Sequence, residues 1–564
     1  MQILYAFLGF IFLIILRLAY LQINQSEIFS DLGQKNFLIT EVVVPQRGNL
    51  VDSQGVLLAS NRPVYDLYWE GSGNRLLSVE QQELIKKLKD ICQIKLDSHI
   101  EKIKNAEKYV RKILLKEGIS FDQLCKICEL CVTCSNLIIL SRFKRIYPYK
   151  NLAGHVLGYL SKHEQDYSSI GLYGLERLFQ DRLKGEVGYI LNTTNSKGRK
   201  LNQKQLKDPK SGDDIKLTLD YKLQIISENL FEEGQSGAFI LMNPFDGSIK
   251  SLVSYPNFDP NMFLEPISQG EWEEKFSVDK PLLNRVTNAM YPPASIFKLI
   301  TFAAGLEEKV IDSNSKFNCK GFTKFCGRNY HCIRHWGHGE IDASAALAYS
   351  CNIPCYEIGL KIKINQLADY AYRFGLGRKT GLLLPESSGL MPTYEWKVAH
   401  KNEPWWKGET LSACIGQSYI QVTPLQVARM ISGICSGYLV RPRILQDEIV
   451  QTEKLEITEE TLDFLRGAMK DVVVRGSAKI LNKLKDFDIY AKTGTAQTSS
   501  LQAKKISKEQ LEHAWLASFF QYKDEDPLII VVLVENVGSA EPAKKIAARF
   551  FIEYKKLKEK DFYV

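Results

Sequence analysis

Three short stretches of this 564-residue chain carry side chains that could do chemistry together. Ser295-Ile296-Phe297-Lys298 sets a hydroxyl and an amine three residues apart. Ser350-Cys351-Asn352 adds a second hydroxyl and an amide, and Lys492-Thr493-Gly494-Thr495 places a cation and two hydroxyls around a glycine. A serine hydroxyl is a weak nucleophile until a neighbouring base takes its proton. The amine of the first stretch suits that role, the second stretch suits a polar relay, and the third suits a substrate carboxylate. The chemistry implied is acyl transfer through a serine ester. Ser295 and Ser350 lie 55 residues apart and Ser350 and Lys492 lie 142 apart, so the fold must bring the three together.

The flanking residues say how each is held. Tyr291-Pro292-Pro293-Ala294 leads into Ser295, and Leu299, Ile300, Phe302, Ala303, Ala304 and Leu306 follow. Proline suits a first helical turn because its missing N–H is unneeded there, and the apolar run predicts a buried helix. On it Ser295 and Lys298 share a face, and the serine sits near the N-terminus, where free N–H groups favour developing negative charge. A second S-x-x-K, Ser313-Asn314-Ser315-Lys316, has no apolar helix behind it and reads as solvated loop. The third stretch lies in a β-rich run over 488–496, where Gly494 permits close backbone approach.

With 45% hydrophobic and 24% charged residues, the chain fits two to four globular domains. Net charge is +8, but there is no arginine-rich run or aromatic–basic interleaving, so no nucleic-acid binding is expected. A basic balance suits an anionic membrane or wall surface. Residues 3–23 are apolar apart from Arg17 and a few polar positions, long enough to cross a bilayer, with Arg17 able to snorkel. Asn24-Gln25-Ser26-Glu27 follows instead of a small-x-small cleavage site, which predicts an uncleaved anchor with the rest of the chain on one side. Met1-Gln2 carries no basic residue to encode orientation.

Beyond the anchor, 24–70 reads as extended, 79–135 as helical and lysine-rich, and 140–200 as turns and short strands. The polar run over 207–214 reads as a linker and the main boundary. Ile215-Lys216-Leu217-Thr218-Leu219-Asp220 and Gly237-Ala238-Phe239-Ile240-Leu241-Met242 then open an α/β domain. The apolar run over 528–535 predicts a buried strand, and Pro542 the start of a last helix over about 543–554. The division expected is an anchor over 1–23, an N-terminal domain over 24–213 with a head subdomain over about 70–140, and a C-terminal domain over 214–564.

With these residues in view, the chain resembles the class B penicillin-binding proteins, in the elongation-type penicillin-binding protein 2 subgroup. The three motifs match in type and order. Arg47-Gly48-Asn49-Leu50-Val51-Asp52 with Gly55, Leu58 and Ala59 matches the family's opening R-G-x-I-x-D-x-x-G-x-x-L-A, except for Leu50. Arg145-Ile146-Tyr147-Pro148, Leu152-Ala153-Gly154-His155-Val156-Leu157-Gly158-Tyr159 and Gly174-Leu175-Glu176 through Leu183-Lys184-Gly185 match the blocks that follow. So do Trp406-Lys407-Gly408-Glu409-Thr410, Ile415-Gly416-Gln417 and Thr423-Pro424-Leu425-Gln426.

The resemblance implies an α/β (α+β) transpeptidase/β-lactamase-like C-terminal domain on an elongated mixed α+β pedestal with a single transmembrane helix. It implies a peptidoglycan D,D-transpeptidase of cell elongation and cell shape, anchored in the cytoplasmic membrane with its catalytic domain periplasmic. Ser295 would be the nucleophile, Lys298 its base, and Ser350 a proton relay; Asn352 would orient Lys298 and the substrate amide. Lys492 and Thr493 would hold the terminal carboxylate beside Gly494, with the N–H groups of Ser295 and Thr495 as oxyanion hole. Burial and the charge of Lys492 should both lower the Lys298 pKa. β-Lactams should acylate Ser295. Acyl transfer needs no cofactor. Without a glycosyltransferase domain of its own, strand polymerisation would fall to a SEDS-family partner. The alternatives are a D,D-carboxypeptidase, a serine β-lactamase, or a regulatory scaffold of a glycosyltransferase. No E-x-x-L-N lies between Ser350 and Lys492, which argues against a class A lactamase.

Of twelve cysteines, Cys319, Cys326, Cys332 and Cys351 cluster with His331, His335 and His338. Tetrahedral zinc takes about four such donors. Members of the elongation type can carry a metal here, and matching by position suggests Cys319, Cys332, His338 and Cys351 as ligands of a structural zinc. A disulfide of Cys319 with Cys332 or Cys326, or buried thiols, are the alternatives. Cys125, Cys128, Cys131 and Cys134 form a C-x-x-C-x-x-C-x-x-C run. It is similar to an iron–sulfur run, but Ser135-Asn136 follows in place of the usual proline. Disulfides, one involving Cys92, or buried thiols are expected instead.

Overall fold

A computed structural model describes residues 2–27, 29, 37–92, 96–131, 136–161, 169–195, 200–496 and 511–561. The apolar N-terminal segment forms a helix over Ile3–Asn24 that is long and apolar enough to cross a membrane and buries nothing against the rest of the chain.

The C-terminal half is built on one antiparallel sheet. Its order is Ile249–Tyr255, Gly237–Met242, Leu528–Val534, His513–Tyr522, Phe487–Ala496. Leu528–Val534 is uniformly apolar because both faces are covered. Ile529, Val531 and Leu533 enter one core, and Ile530, Val532 and Val534 enter the other. The first core holds the helices Lys298–Glu307 and Pro424–Ser436; the second holds Tyr221–Glu228 and the C-terminal helix Glu541–Asp561. That last helix has Pro542 in its first turn and runs on past Tyr554 through charged residues to Asp561. Phe487–Ala496, which carries the third motif, is an edge strand.

In the N-terminal half, Leu57–Glu70 pairs with Leu50–Val51, Lys112–Ile119 and Leu137–Ile146. A separate antiparallel sheet joins Leu38–Val43, Gly188–Thr194 and Lys200–Lys207. The blocks around Arg47, Arg145 and Glu176 meet inside the pedestal. Glu176, fully buried, accepts from Arg47 Nε (2.7 Å), Arg145 Nε (2.8 Å) and Tyr147 Oη (3.1 Å). Arg145 Nη1 also donates to Gly48 O at 2.7 Å. One carboxylate thus ties three distant segments together.

Two expectations need correction. The stretch over 79–135 is not helical throughout: helices Val79–Cys92, Leu96–Tyr109 and Phe121–Cys131 are interrupted by the strand Lys112–Ile119. Its lysines suit a solvated helix, but pairing with Leu57–Glu70 buries Leu115 and Ile119 in the head core, and tertiary pairing overrides propensity. The strand Leu137–Ile146 is ten residues long rather than short, because it pairs along Ser60 to Trp69. The run over 207–214 is solvent-exposed yet stitched down: Gly212 N donates to Gln46 O (2.9 Å) and Asp213 N to Arg182 O (3.0 Å).

Candidate active site

Ser295 sits in a 3-10 turn, Ala294–Ile296, directly before the helix Lys298–Glu307. The α-helix therefore starts later than its prolines suggest. Residues three apart eclipse in a 3-10 turn, which keeps Ser295 and Lys298 on one side. The turn is fixed from outside. Trp515 Nε1 donates to Pro292 O (3.0 Å), and Ala294 N donates to Gly416 O (3.0 Å). Ala294 adopts a left-handed φ of 49°. Gly416, at φ 71°, passes so close that a Cβ on it would lie 2.1 Å from Ala294 O.

Lys298 is fully buried and points away from the helix into the second motif. Its Nζ donates to Asn352 Oδ1 (2.6 Å), Ser350 O (2.6 Å) and Ser350 Oγ (3.2 Å). Ser350 holds a left-handed φ of 56°, an unfavourable state for a residue with a side chain and of the kind found at functional sites. Asn352 Nδ2 in turn donates to His331 O at 2.8 Å, which fixes the amide orientation.

Lys492 reaches the same hydroxyl from the edge strand. Its Nζ donates to Ser350 Oγ (3.1 Å) and Thr493 O (3.0 Å). Thr493 Oγ1 shares a 2.6 Å hydrogen bond with Ser477 Oγ. Gly494 runs past the nucleophile turn, and a Cβ there would lie 3.2 Å from both Pro293 O and Trp515 Cβ. Thr495 follows on the same strand. The three motifs thus converge, with Ser350 Oγ between two ammonium groups.

Burial pulls the Lys298 pKa below the ordinary lysine value, while the thiols of Cys355, Cys351 and Cys332 pull it up. Lys492 is held well below that value, first by burial and then by repulsion from Lys298. The two lysines repel one another, so a charge on either disfavours a charge on the other. Lys298 has a carbonyl and an amide oxygen as acceptors, which favour its charged form.

The side chains of Cys319, Cys332, His338 and Cys351 gather with ligand atoms within 4.8 Å of one another. Cys319 Sγ and Cys332 Sγ each lie 3.5 Å from His338 Nδ1, and Cys332 Sγ lies 3.7 Å from Cys351 Sγ. Donors of tetrahedral zinc, with Zn–S near 2.3 Å and Zn–N near 2.0–2.1 Å, stand roughly 3.5–3.8 Å apart. The donor set and these three separations fit zinc. Cys319, Cys326 and Cys332 are free, so neither disulfide alternative is formed; Cys326, His331 and His335 lie outside the group and are exposed.

The other cysteine run behaves differently. Cys125 and Cys128 are free and solvent-exposed on the head helix, neither buried nor bridged, and Cys92 is free and buried. The Cys131 side chain and Cys134 lie outside the described residues. The decoy over 313–316 lies in a turn where Ser315 Oγ bonds Asp312, and only its lysine enters a strand. Two participants escaped sequence reasoning. Ser477 follows Gly476, whose Cβ would lie 2.3 Å from Ala348 O. That small-residue turn was the one available signal. The carbonyl of His331 gave none, since a backbone acceptor carries no sequence signature.

Comparison with known proteins agrees with this geometry. The penicillin binding protein transpeptidase domain matches residues 237–553, and the penicillin-binding protein dimerisation domain matches residues 42–217. The peptidoglycan D,D-transpeptidase MrdA of Acinetobacter baumannii is 30% identical over 571 residues, covering 95% of this chain and 84% of that protein. Among solved structures, penicillin-binding protein 2 in complex with MreC from Helicobacter pylori aligns with TM-score 0.79 at 28% identity, covering 93% of this chain and 99% of that one. A chain of a peptidoglycan synthase complex, solved for the coordination of polymerization and crosslinking, aligns with TM-score 0.76 at 28% identity, covering 98% of this chain and 97% of that one. The chain belongs to the penicillin-binding proteins, as a class B member of the elongation type.

Proposed function

We propose that this protein is a peptidoglycan D,D-transpeptidase of cell elongation that cross-links stem peptides through a Ser295 acyl-enzyme and is acylated there by β-lactams. The observation that carries the reading is the placement of Ser350 Oγ within 3.2 Å of Lys298 Nζ and 3.1 Å of Lys492 Nζ, beside the Ser295 turn. A carboxylate arriving at Lys492 and Thr493 stabilises charge on Lys492. A proton then passes from Lys298 to Lys492 through Ser350 Oγ, and the repulsion between the two lysines keeps Lys298 neutral. Neutral Lys298 takes the Ser295 proton as Oγ attacks the carbonyl of the penultimate D-alanine. The oxyanion accepts from the N–H groups of Ser295 and Thr495; losing one such donor costs about 3 kcal/mol. The terminal D-alanine leaves with a proton relayed by Ser350, and Asn352 keeps Lys298 and the substrate amide aligned.

Zinc held by Cys319, Cys332, His338 and Cys351 would supply a structural cross-link, and Cys351 lies between Ser350 and Asn352. The helix Ile3–Asn24 supports a single-pass anchor in the cytoplasmic membrane with the catalytic domain periplasmic. A SEDS-family glycosyltransferase is the partner proposed for strand polymerisation. The likeness to a chain of a peptidoglycan synthase complex supports it.

Purified wild-type and Ser295→Ala proteins are incubated with a fluorescent penicillin and run on a denaturing gel. A stable wild-type label that the variant lacks is expected. No label on folded wild type overturns the reading in favour of a scaffold, and a label lost within seconds favours a lactamase.

A further inference from the structure

We propose that the cationic and aromatic hairpin over residues 320–336 is the subsite for the acceptor strand, and that it selects an acidic peptide. The inference rests on the transpeptidase reading above. The hairpin pairs Phe322–Phe325 with Arg328–His331. Its two-residue turn, Cys326-Gly327, has φ of 47° and 77°, as a type I′ turn requires. Its backbone is bound to the catalytic loop: His331 O accepts from Asn352 Nδ2 (2.8 Å) and from Tyr356 Oη (3.0 Å). The amide that holds Lys298 through its oxygen therefore holds this hairpin through its nitrogen.

Charge gives the occupant. From Lys316 to Gly339 there are five lysines and arginines and no aspartate or glutamate. Lys316 pairs with Glu340 (3.3 Å). Lys320, Lys324, Arg328 and Arg334 make no ion pair among the described residues. The Arg334 guanidinium lies 5.2 Å from the Trp336 ring centroid, and Trp336 is 77% exposed and Ile333 60% exposed. Exposed aromatic surface rimmed by unpaired cations, beside a catalytic loop, suits a peptide that brings carboxylates and some apolar stem.

The order of reaction gives the location. Aminolysis of the acyl-enzyme reverses the geometry of its formation, so the acceptor amine enters where the leaving amine departed, at Ser350 Oγ. A C–N bond forms as the C–Oγ bond to Ser295 breaks. The amine proton passes through Ser350 Oγ to Lys298 Nζ and on to Ser295 Oγ, with no other reactant consumed. Asn352, two residues from Ser350, is tied to the hairpin at His331 O, so the hairpin adjoins the loop at which the acceptor amine enters.

The full-length protein is supplied with an N-acyl-D-alanyl thioester as donor. The acceptor is a synthetic peptide with one primary amine and two free carboxylates, or the same peptide with both amidated. Aminolysis and hydrolysis products are counted by mass spectrometry, and their ratio is normalised to the acylated fraction. Wild type should favour the acidic acceptor over its amide by about tenfold. Lys324→Gln/Arg334→Gln should bring that preference to near one, and Trp336→Ala should lower transfer to both acceptors. No preference in wild type, or the same preference in the double variant, overturns the proposal. If wild type is acylated neither by the thioester nor by penicillin, the transpeptidase reading fails and this proposal falls with it.

Discussion

Lys298 and Lys492, from a helix and an edge strand, donate to the same atom, Ser350 Oγ, at 3.2 and 3.1 Å. Both are fully buried, and among the described residues neither has a carboxylate partner. Two ammonium groups in that position repel, so the site is built to shed a proton and to regain charge when a substrate carboxylate arrives.

Acylation needs neutral Lys298, whose pKa burial lowers. The second-order rate of penicillin acylation should be low in acid, rise with pH, and level off below the ordinary lysine value of about 10.4. A stopped-flow profile still climbing at about pH 10 contradicts the assignment of the base.

The same burial has a stability consequence. The folded pKa of Lys492 lies well below its unfolded value, so between the two the unfolded chain binds more protons and stability rises with pH. The penalty is complete below the folded pKa and gone above the unfolded one. Lys492→Met should therefore melt higher than wild type near neutral pH, by roughly 1–3 kcal/mol, with the gain shrinking as pH rises. Melting curves at several pH values check it, and penicillin labelling should fall in the same variant.

Gly416→Ala adds a Cβ at 2.1 Å from Ala294 O at a left-handed position. Backbone must move, and the backbone concerned positions Ser295. A loss of about 2–4 kcal/mol is expected, with penicillin acylation slowed at least about tenfold. An Ala variant that acylates at the wild-type rate shows that the turn is not held from this side.

The four-donor group should hold about one zinc per chain. Elemental analysis of purified protein measures it. His338→Ala or Cys319→Ser should lose the metal and melt lower, and a strong chelator should lower the wild-type melting point toward theirs. Equal melting with and without metal removes the structural role.

Glu176→Ala leaves Arg47 and Arg145 buried without their shared acceptor. Removing one partner of a buried ion pair costs roughly 3–5 kcal/mol. The loss is read by denaturant unfolding, and an unchanged midpoint contradicts the pedestal's dependence on this carboxylate.

What the sequence determined by itself was local. The apolar run after Ser295, the bare β pattern of 528–534 and the apolar span at the N-terminus each follow from periodicity and composition over a few residues. The Arg47, Arg145 and Glu176 blocks were visible as motifs, but not as one network. The strand Lys112–Ile119 was hidden because its lysines read the same in a helix, and only pairing with Leu57–Glu70 decided it. The Ser477–Thr493 hydrogen bond, the His331 carbonyl under Asn352 and the meeting of Lys298 and Lys492 at Ser350 Oγ depend on distances between residues far apart in the chain. Such distances follow from how the sheet and helices pack, because hydrogen bonds and Coulomb forces act through space, whereas the patterns legible in the sequence act along the chain.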